Sequence, residues 1–305
     1  MDLAANFTVN SFEWMALGAA ICWALGSLIS APASAHLGAF AFTRWRMTCA
    51  ASMLWAVALV TGGWHSLPLS ELWLLVLSGM IGILIGDTAL FASMNRLGPR
   101  RAGVLFATHS MFSALLAYLF LGETLWGWTL VGCGLLVSGV MTAILFGKRA
   151  SEQHHWEANS EHLASGIALG LLSALCQAVS TLMLKPLMET DIDAVAASAV
   201  RMSAALLCHL LLLWAGVKAA RTLLPMDRKV FGMVAFNAFL SMGVGMTLIL
   251  QALKHGDAGI VAMLSSVSPV VVLPLLWLVY KRRPAIGAFL GASLTVCGTV
   301  LILWH

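Results

Sequence analysis

Ten long apolar runs restrict what this chain of 305 residues can fold into. A membrane-spanning helix needs about 20 consecutive apolar residues, because its hydrogen-bonded backbone must cross a hydrocarbon core about 30 Å thick. The runs lack the alternation of lipid-facing barrel strands, and they leave only short loops between them. The sequence therefore predicts an all-α polytopic membrane protein with ten transmembrane helices. They are expected at 12–29, 38–60, 72–96, 101–121, 125–146, 163–185, 194–217, 230–253, 258–280 and 285–304.

The composition excludes several classes of protein. Hydrophobic residues make up 60% of the chain and charged residues only 10%, against about 25% charged in an average soluble domain. Disorder, a disulfide-rich secreted scaffold and an ordinary soluble enzyme are therefore excluded. The basic residues are scattered over short loops, so the net charge of +4 gives no reason to expect nucleic acid as a partner.

The chain repeats itself at an offset of 154 to 159 residues. Arg46-Met47 aligns with Arg201-Met202, and further matches keep the same order along the chain. They are Cys22 with Cys176, Ala24 with Ala178, Gly86 with Gly245, Thr88 with Thr247, Gly98 with Gly256, Ser110 with Ser268 and Gly139 with Gly298. With five spans in each copy, the second copy is inserted upside down, as in secondary transporters. We expect one repeat over residues 1–146, a linker over 147–162 and an inverted repeat over 163–305.

Three short motifs in the first half resemble those of a known family. They are Gly-Asp-Thr-Ala-Leu-Phe at 86–91, Arg-Leu-Gly at 96–98 and Leu-Gly-Glu-Thr at 121–124. With the ten spans, they resemble the EamA-like exporters of the drug/metabolite transporter superfamily. The chain departs from the family pattern at Met111, where a proline is usual, and at residues 281–283, where basic residues replace an acidic turn. The second half keeps its proline as Pro269.

The resemblance implies a basket of spans 1–4 and 6–9 around a central cavity, with spans 5 and 10 outside it. It also implies transport of a small organic metabolite, such as an amino acid or an amphiphilic compound, usually outward. We therefore expect a secondary transporter rather than an enzyme, working by alternating access in the inner cell membrane. Protons are a candidate coupling partner, no cofactor is expected, and the chain is expected to be a monomer or a homodimer.

Two opposite charges fall deep in the first half. Arg46 lies about eight residues into span 2, and Asp87 lies about ten residues from the end of span 3 on the same side. At 1.5 Å per residue both are about 12 to 15 Å deep, so they can pair. Two interpretations remain open: a structural ion pair that joins the spans, and a carboxyl group that takes up a proton or a cationic substrate group during turnover.

Arg201 and His109 are further candidates. Arg201 is the repeat equivalent of Arg46, but no acid stands at the equivalent of Asp87, so Arg201 could hold a substrate carboxylate or phosphate. Alternatively it snorkels to the interface, or bonds Glu189, Asp191 and Asp193. His109, in the middle of span 4, could relay protons or hydrogen-bond a neighbour.

A set of polar and aromatic side chains at matching depths could line a single midplane pocket. An aromatic wall opposite amide and hydroxyl groups suits a small zwitterion or a polar-headed amphiphile, although small polar residues also join helices together. The candidates are Trp23, Ser27, Gln177, Ser180, Thr181, Ser265, Ser266 and Ser268.

The basic residues indicate the orientation of the chain. Cytoplasmic loops are rich in Lys and Arg, and of the 17 basic residues fourteen fall on one side, only Lys185 and Lys254 on the other, and Arg201 within a span. This distribution predicts that both termini lie outside the cytoplasm. The family resemblance more often implies termini inside.

The alternative to a transporter is a membrane-embedded enzyme acting on a lipid-like substrate. It would need a nucleophile with its base, or a metal cluster, inside the bundle. Ser110 and His109 are adjacent and so point to different helix faces. The His and Glu residues of 152–162 match no standard metal-site spacing, and a solvated linker is the preferred interpretation there.

Overall fold

The computed structural model describes residues 11–123, 126–146, 163–268, 270–271 and 286–303, and all regular structure in these ranges is helical. Two π-helical segments interrupt the α-helices: the first π segment (Met80–Asp87) joins α3 to α4, and the second (Ala238–Gly245) joins α9 to α10. The α-helices are α1 (Ser11–Leu37), α2 (Ala39–Thr61), α3 (Leu72–Gly79), α4 (Thr88–Ala107), α5 (His109–Leu121), α6 (Gly127–Phe146), α7 (Leu163–Met188), α8 (Ala194–Trp214), α9 (Arg228–Asn237), α10 (Met246–Leu253), α11 (Ala258–Ser265) and α12 (Ile286–Leu303).

Six stretches of the described helices are long and apolar enough to cross a membrane. They are Ser11–Leu37, Leu72–Leu97, Arg101–Leu121, Leu163–Met188, Ala194–Trp214 and Arg228–Leu253. Shorter apolar helices cover Gly127–Thr142 and Phe289–Leu301. The chain is therefore a multi-pass helical membrane protein, as predicted. The total of ten spans stays a prediction, since the ninth predicted run extends into residues 272–280, outside the described ranges.

The distribution of side chains is that of a bundle solvated by lipid. Small residues fill the interior: Ala16, Ala20 and Ala24 of α1 are fully buried. Large apolar side chains such as Leu119 and Leu211 lie on the outside. Lipid is as apolar as leucine, so burial of large side chains gives no advantage, and small residues are favoured where helices approach closely.

The helix α4 contains a reversal of the chain. Ser93 Oγ and the Leu105 side chain both lie beside Gly170 of α7. A Cβ added to Gly170 would be 3.1 Å from Ser93 Oγ and 2.6 Å from Leu105 Cδ1. A straight helix would separate these two positions by about 18 Å. The chain therefore turns back between Ser93 and Leu105. The boundary between the predicted runs 72–96 and 101–121 stays a prediction.

The two halves contact each other through residues that are equivalent in the predicted repeat. A Cβ on Gly86 would meet Cys176 Cβ at 3.2 Å, and a Cβ on Gly245 would meet Cys22 Cβ at 3.3 Å. Cys22 and Cys176 are 154 residues apart, and Gly86 and Gly245 are 159 apart. Exchanging the first half of the chain with the second therefore converts each of these contacts into the other.

Exchanging the halves also relates two further pairs of contacts. In each pair, the position that is glycine in one contact is occupied by a larger residue in the other contact. Gly82 faces Ser180, and at the equivalent position Gly26 faces Ser241. Near the ends of the bundle Gly166 faces Leu97, and Gly256 faces Phe12. At each position one side of the contact is glycine, which makes room for the side chain opposite.

The pairing of α6 with α12 follows the same rule. The backbone of Gly139 lies against Gly291 and Thr295, and the backbone of Gly298 lies against Gly132 and Leu136. Each of the three positions on α12 is 159 residues beyond its equivalent on α6. These two helices make the most extensive interface of the described bundle.

Candidate functional site

The predicted pair of opposite charges forms at the end of the first π segment. Arg46 of α2 donates from Nη2 to Oδ2 of Asp87 at 2.5 Å, and the two side chains are only 4% and 9% exposed. The guanidinium also lies over the rings of Phe42 and Phe91, 5.5 Å and 4.7 Å from their centroids. Its Nε is buried without a partner. Because both charges are desolvated, each depends on the other for compensation.

His209 of α8 extends this cluster by one hydrogen bond. Its Nε2 lies 3.3 Å from Oγ1 of Thr88, the residue after Asp87, and its ring meets the Phe40 ring edge-on. Its Nδ1 is buried without a partner. Sequence reasoning left His209 as a structural residue, and the only signal that could have found it was its position eight residues after Arg201 on the same helix.

Arg201 is fully buried on the inner face of α8, with 1% exposure. Its Nε donates to Ser78 Oγ at 3.1 Å and its Nη2 to Ser180 Oγ at 2.9 Å, while Nη1 is buried without a partner among the described residues. The alternative that Arg201 snorkels or bonds the acids of the loop before α8 is therefore wrong. Glu189 instead pairs with Lys185, and Asp193 caps α8.

Glycines allow the helices to close around Arg201. A Cβ on Gly79 would meet the carbonyl oxygen of Arg201 at 2.5 Å, and one on Gly82 would meet Ser180 Oγ at 2.5 Å. Ser180 also donates to the carbonyl of Ser78 at 2.9 Å. This cluster thus ties α7, α8 and the α3 end of the first π segment together.

Trp23 of α1 lies on the second π segment. Its Nε1 donates to the carbonyl of Ser241 at 3.0 Å, and the indole covers Gly245, the residue that ends this segment as Asp87 ends the first. A tryptophan therefore contacts the second half where the first half carries its acid. Ser27, one turn further on α1, donates to the carbonyl of Ala24 within its own helix.

Two polar side chains of α7 are buried but make no hydrogen bond to the described residues. Gln177 and Thr181 are each 7% exposed, and neither side chain has a hydrogen-bond partner among the described residues. Positions four apart lie on one face of a helix, and Ser180 stands beside them in the Arg201 cluster. Gln177 and Thr181 are thus within three residues of Ser180 on the helix that contributes to that cluster.

His109, Ser265 and Ser266 lie where helices are interrupted. The break between α4 and α5 falls at Thr108, and α11 ends before Ser266. His109 packs against Phe106, with ring centroids 5.0 Å apart. Ser265 and Ser266 donate to carbonyls of their own last turn, Ala262 and Met263. Ser110 likewise bonds Ala107 rather than His109, so no serine–histidine pair forms there.

The predicted residues therefore gather into two clusters rather than one ring of side chains. One is built on Arg46 and Asp87, and the other on Arg201 and Ser180. Trp23 contacts the second half, and Ser27, Ser265 and Ser266 donate their hydroxyl groups within their own helices. Ser268 donates instead to the carbonyl of Ala20 on α1 at 2.9 Å.

The glutamate of the Leu-Gly-Glu motif has a role that sequence reasoning missed. Both carboxylate oxygens of Glu123 accept backbone N–H groups at the start of α11, from Ala258 at 2.8 Å and Gly259 at 3.0 Å. A helix N-terminus has unsatisfied donors and a partial positive charge, which a carboxylate compensates. Glu123 thus joins the end of α5 to the start of α11.

A multi-pass bundle that buries an ion pair and an arginine at mid-depth has the properties of a membrane transport protein. Comparison with known proteins agrees: the EamA-like transporter family matches residues 10–145 and again residues 164–304. The chain belongs to this family, and it is a membrane transporter.

Two individual proteins resemble the chain over nearly its whole length. An uncharacterized transporter of Archaeoglobus fulgidus is 26% identical over 289 residues, covering 95% of this chain and 96% of the relative. A protein of known crystal structure superposes with a TM-score of 0.75 at 18% identity, covering 96% of both chains. The second likeness shows the fold alone.

Proposed function

We propose that this protein is a secondary transporter that exports a small organic metabolite, such as an amino acid or an amphiphilic compound, by alternating access. The observation that carries the proposal is the set of exchanged contacts between the halves: Gly86 with Cys176 and Gly245 with Cys22. The buried Arg46–Asp87 pair lies at the end of the first π segment, beside one of these contacts.

The exchanged contacts support two inverted five-helix repeats, over residues 1–146 and 163–305, with a linker at 147–162. In an inverted-repeat carrier, each repeat adopts in turn the conformation of the other, and the central site is exposed first to one side and then to the opposite side. This mechanism requires that each contact between the halves has an equivalent contact in which the two halves have exchanged places. The π segments at corresponding positions give both halves a site where the helix can change its hydrogen bonding.

Asp87 is the proposed coupling residue. While Asp87 is ionised, the pair with Arg46 holds α2 to the first π segment; when the carboxyl group takes up a proton, it loses the charge that held the guanidinium. Opening a buried ion pair without that proton would leave two uncompensated charges. Proton uptake and the movement of α2 against α4 are thus linked.

The charge distribution supports an orientation with both termini outside the cytoplasm, in the inner cell membrane. Either orientation is compatible with export, since the coupling gradient sets the direction of net flux in a symmetric carrier.

The experiment is transport in proteoliposomes loaded with a fluorescent pH indicator, with amino acids and amphiphilic amines tested in turn as substrates. We expect a substrate-dependent proton flux in the wild-type protein and in Asp191→Asn, which makes the same change at an exposed loop position. Asp87→Asn should fold, as judged by size-exclusion profile, and lose the proton flux. Normal proton-coupled transport by Asp87→Asn would contradict the coupling role.

A further inference from the structure

We propose that Arg201 is the anion-recognition residue of the transport site and that the substrate carries a carboxylate. This rests on the proposed function and deepens it. Three observations support it: the charge balance of the buried core, the free donor on Arg201, and the unused polar groups on the adjacent face of α7.

The buried core carries one positive charge too many. Six charged residues are buried in the described structure, and Glu13, Arg44 and Lys185 lie within two turns of a helix end. The remaining three are Arg46, Asp87 and Arg201. Asp87 pairs directly with Arg46 at 2.5 Å and attracts Arg201 only across a longer distance, without a direct contact. Arg201 therefore has no carboxylate partner of its own among the described residues, and the three charges sum to +1. A buried charge without a counter-charge is strongly disfavoured.

The bonds that Arg201 makes leave one of its donor nitrogens free and do not compensate its charge. Both acceptors, Ser78 Oγ and Ser180 Oγ, are neutral hydroxyls. Nη1 has no acceptor in the part of the chain that the structure describes. A guanidinium presents its donors as a planar fork, which a carboxylate matches with two parallel hydrogen bonds. A substrate carboxylate would supply both the missing acceptor and the missing charge.

The remaining part of the proposed binding site is on α7. Gln177 and Thr181 flank Ser180, which bonds Arg201, and their side chains have no hydrogen-bond partner among the described residues. An amide and a hydroxyl can both donate and accept, so they suit the amino or hydroxyl group of the molecule whose carboxylate Arg201 holds. The recognised class is thus a small carboxylic acid with a neighbouring polar group.

The site is closed in this conformation, because Nη1 is fully covered. The carboxylate therefore binds in another state of the cycle and shifts the population toward that state. Binding consequently registers as a change in thermal stability or conformation, and direct contact in the closed state is not required.

The first test uses matched pairs of ligands on the purified wild-type protein. L-amino acids, 2-hydroxy acids and short dicarboxylic acids are each compared with their amides in a thermal-shift assay. We expect at least one acid to shift the midpoint and its amide to bind at least tenfold more weakly. The inference is overturned if amides and acids act alike, or if no acid shifts the midpoint.

The second test assigns the effect to Arg201. Arg201→Gln keeps a donor but removes the charge, and it should abolish the preference for acid over amide. Arg201→Lys keeps the charge and should retain that preference with weaker binding. The matched control is Ser198→Ala on the same helix, which removes a buried hydroxyl that has no partner and should leave binding unchanged. An intact preference in Arg201→Gln would overturn the assignment.

Failure of this inference can be told apart from failure of the proposed function. If only amines or neutral compounds bind, and they are transported, the carrier stands and the carboxylate class is wrong. If Arg201→Gln fails to fold, the wild-type comparison of acids with amides still decides the class. If no compound of any class is bound or transported, the proposed function itself fails.

Discussion

At the scale of single residues, the core is organised by two arginines and one aspartate. Arg46 and Arg201 are each the eighth residue of their helices, α2 and α8. They are nevertheless compensated differently, because the repeat equivalent of Asp87 is Met246, the residue after Gly245, which carries no charge. The asymmetry is chemical rather than geometric, and it gives the two halves different tasks.

The ion pair makes a clear prediction about stability. Arg46→Met should lower the free energy of unfolding by about 3 to 5 kcal/mol, because it leaves a buried carboxylate without its partner. The double variant Arg46→Met with Asp87→Asn removes both charges and should regain most of that loss. The measurement is thermal unfolding in detergent. A double variant no more stable than Arg46→Met alone would contradict the pairing.

Glu123 illustrates a residue whose role depends on another part of the chain. Glu123→Ala should cost about 1 to 2 kcal/mol, since two N–H groups at the start of α11 lose their acceptor. The control is Asp191→Ala, which removes an exposed carboxylate in the loop before α8 and should change the stability by no more than about 0.5 kcal/mol. Equal losses in the two variants, measured by thermal unfolding, would refute the capping role.

At the scale of elements, glycine sets how closely the helices approach. On α6, Gly139 lies against the α12 backbone, whereas a Cβ on Gly134 would meet nothing within 4 Å. On α12, Gly298 makes the equivalent contact with α6. The close approach of α6 to α12, rather than any requirement of helix formation, therefore explains why Gly139 and Gly298 have no side chain.

These glycines give a matched set of variants. Gly139→Ala and Gly298→Ala should each destabilise the protein by about 1 to 3 kcal/mol, because a methyl group is forced into a filled interface. Gly134→Ala makes the same change on the open face of α6 and should be neutral or slightly stabilising. Thermal midpoints of the three variants decide the matter, and a loss in Gly134→Ala as large as in Gly139→Ala would count against this packing.

Sequence reasoning predicted those features that depend on depth alone. Arg46 and Asp87 could be paired because the depth of each in its span is readable from the sequence. Ser78 and Ser180 could not be assigned to Arg201, because this depends on how three helices are rotated about their axes. The hydroxyls of Ser265 and Ser266 were predicted to face a pocket. They bond their own turn instead, an option that every serine in a helix has.

At the scale of the whole molecule, the exchanged contacts and the charge distribution belong to one account. In the proposed mechanism, the contacts allow the two halves to exchange conformations, and the basic loops set the orientation of the chain. Alternation between two conformations is required for export, whereas the coupling gradient sets the direction of net flux in either orientation.

The orientation is directly testable. Alkaline phosphatase, which is active only outside the cytoplasm, should be active when fused after His305, and green fluorescent protein at the same point should be dark. The reverse result would mean that the thirteen basic residues on that side, without the buried Arg46, face away from the cytoplasm, and the orientation proposed here would be wrong.

The most direct test of alternating access is a pair of distances measured on the same protein. In an active variant without its six native cysteines, spin labels at Trp14 and His255 report on one end of the bundle, where Phe12 contacts Gly256. Labels at Arg96 and Ala164 report on the other end, where Leu97 contacts Gly166. Adding substrate or lowering the pH should shorten one distance and lengthen the other. Two distances that stay fixed, or that change in the same direction, would contradict the exchange of conformation between the halves.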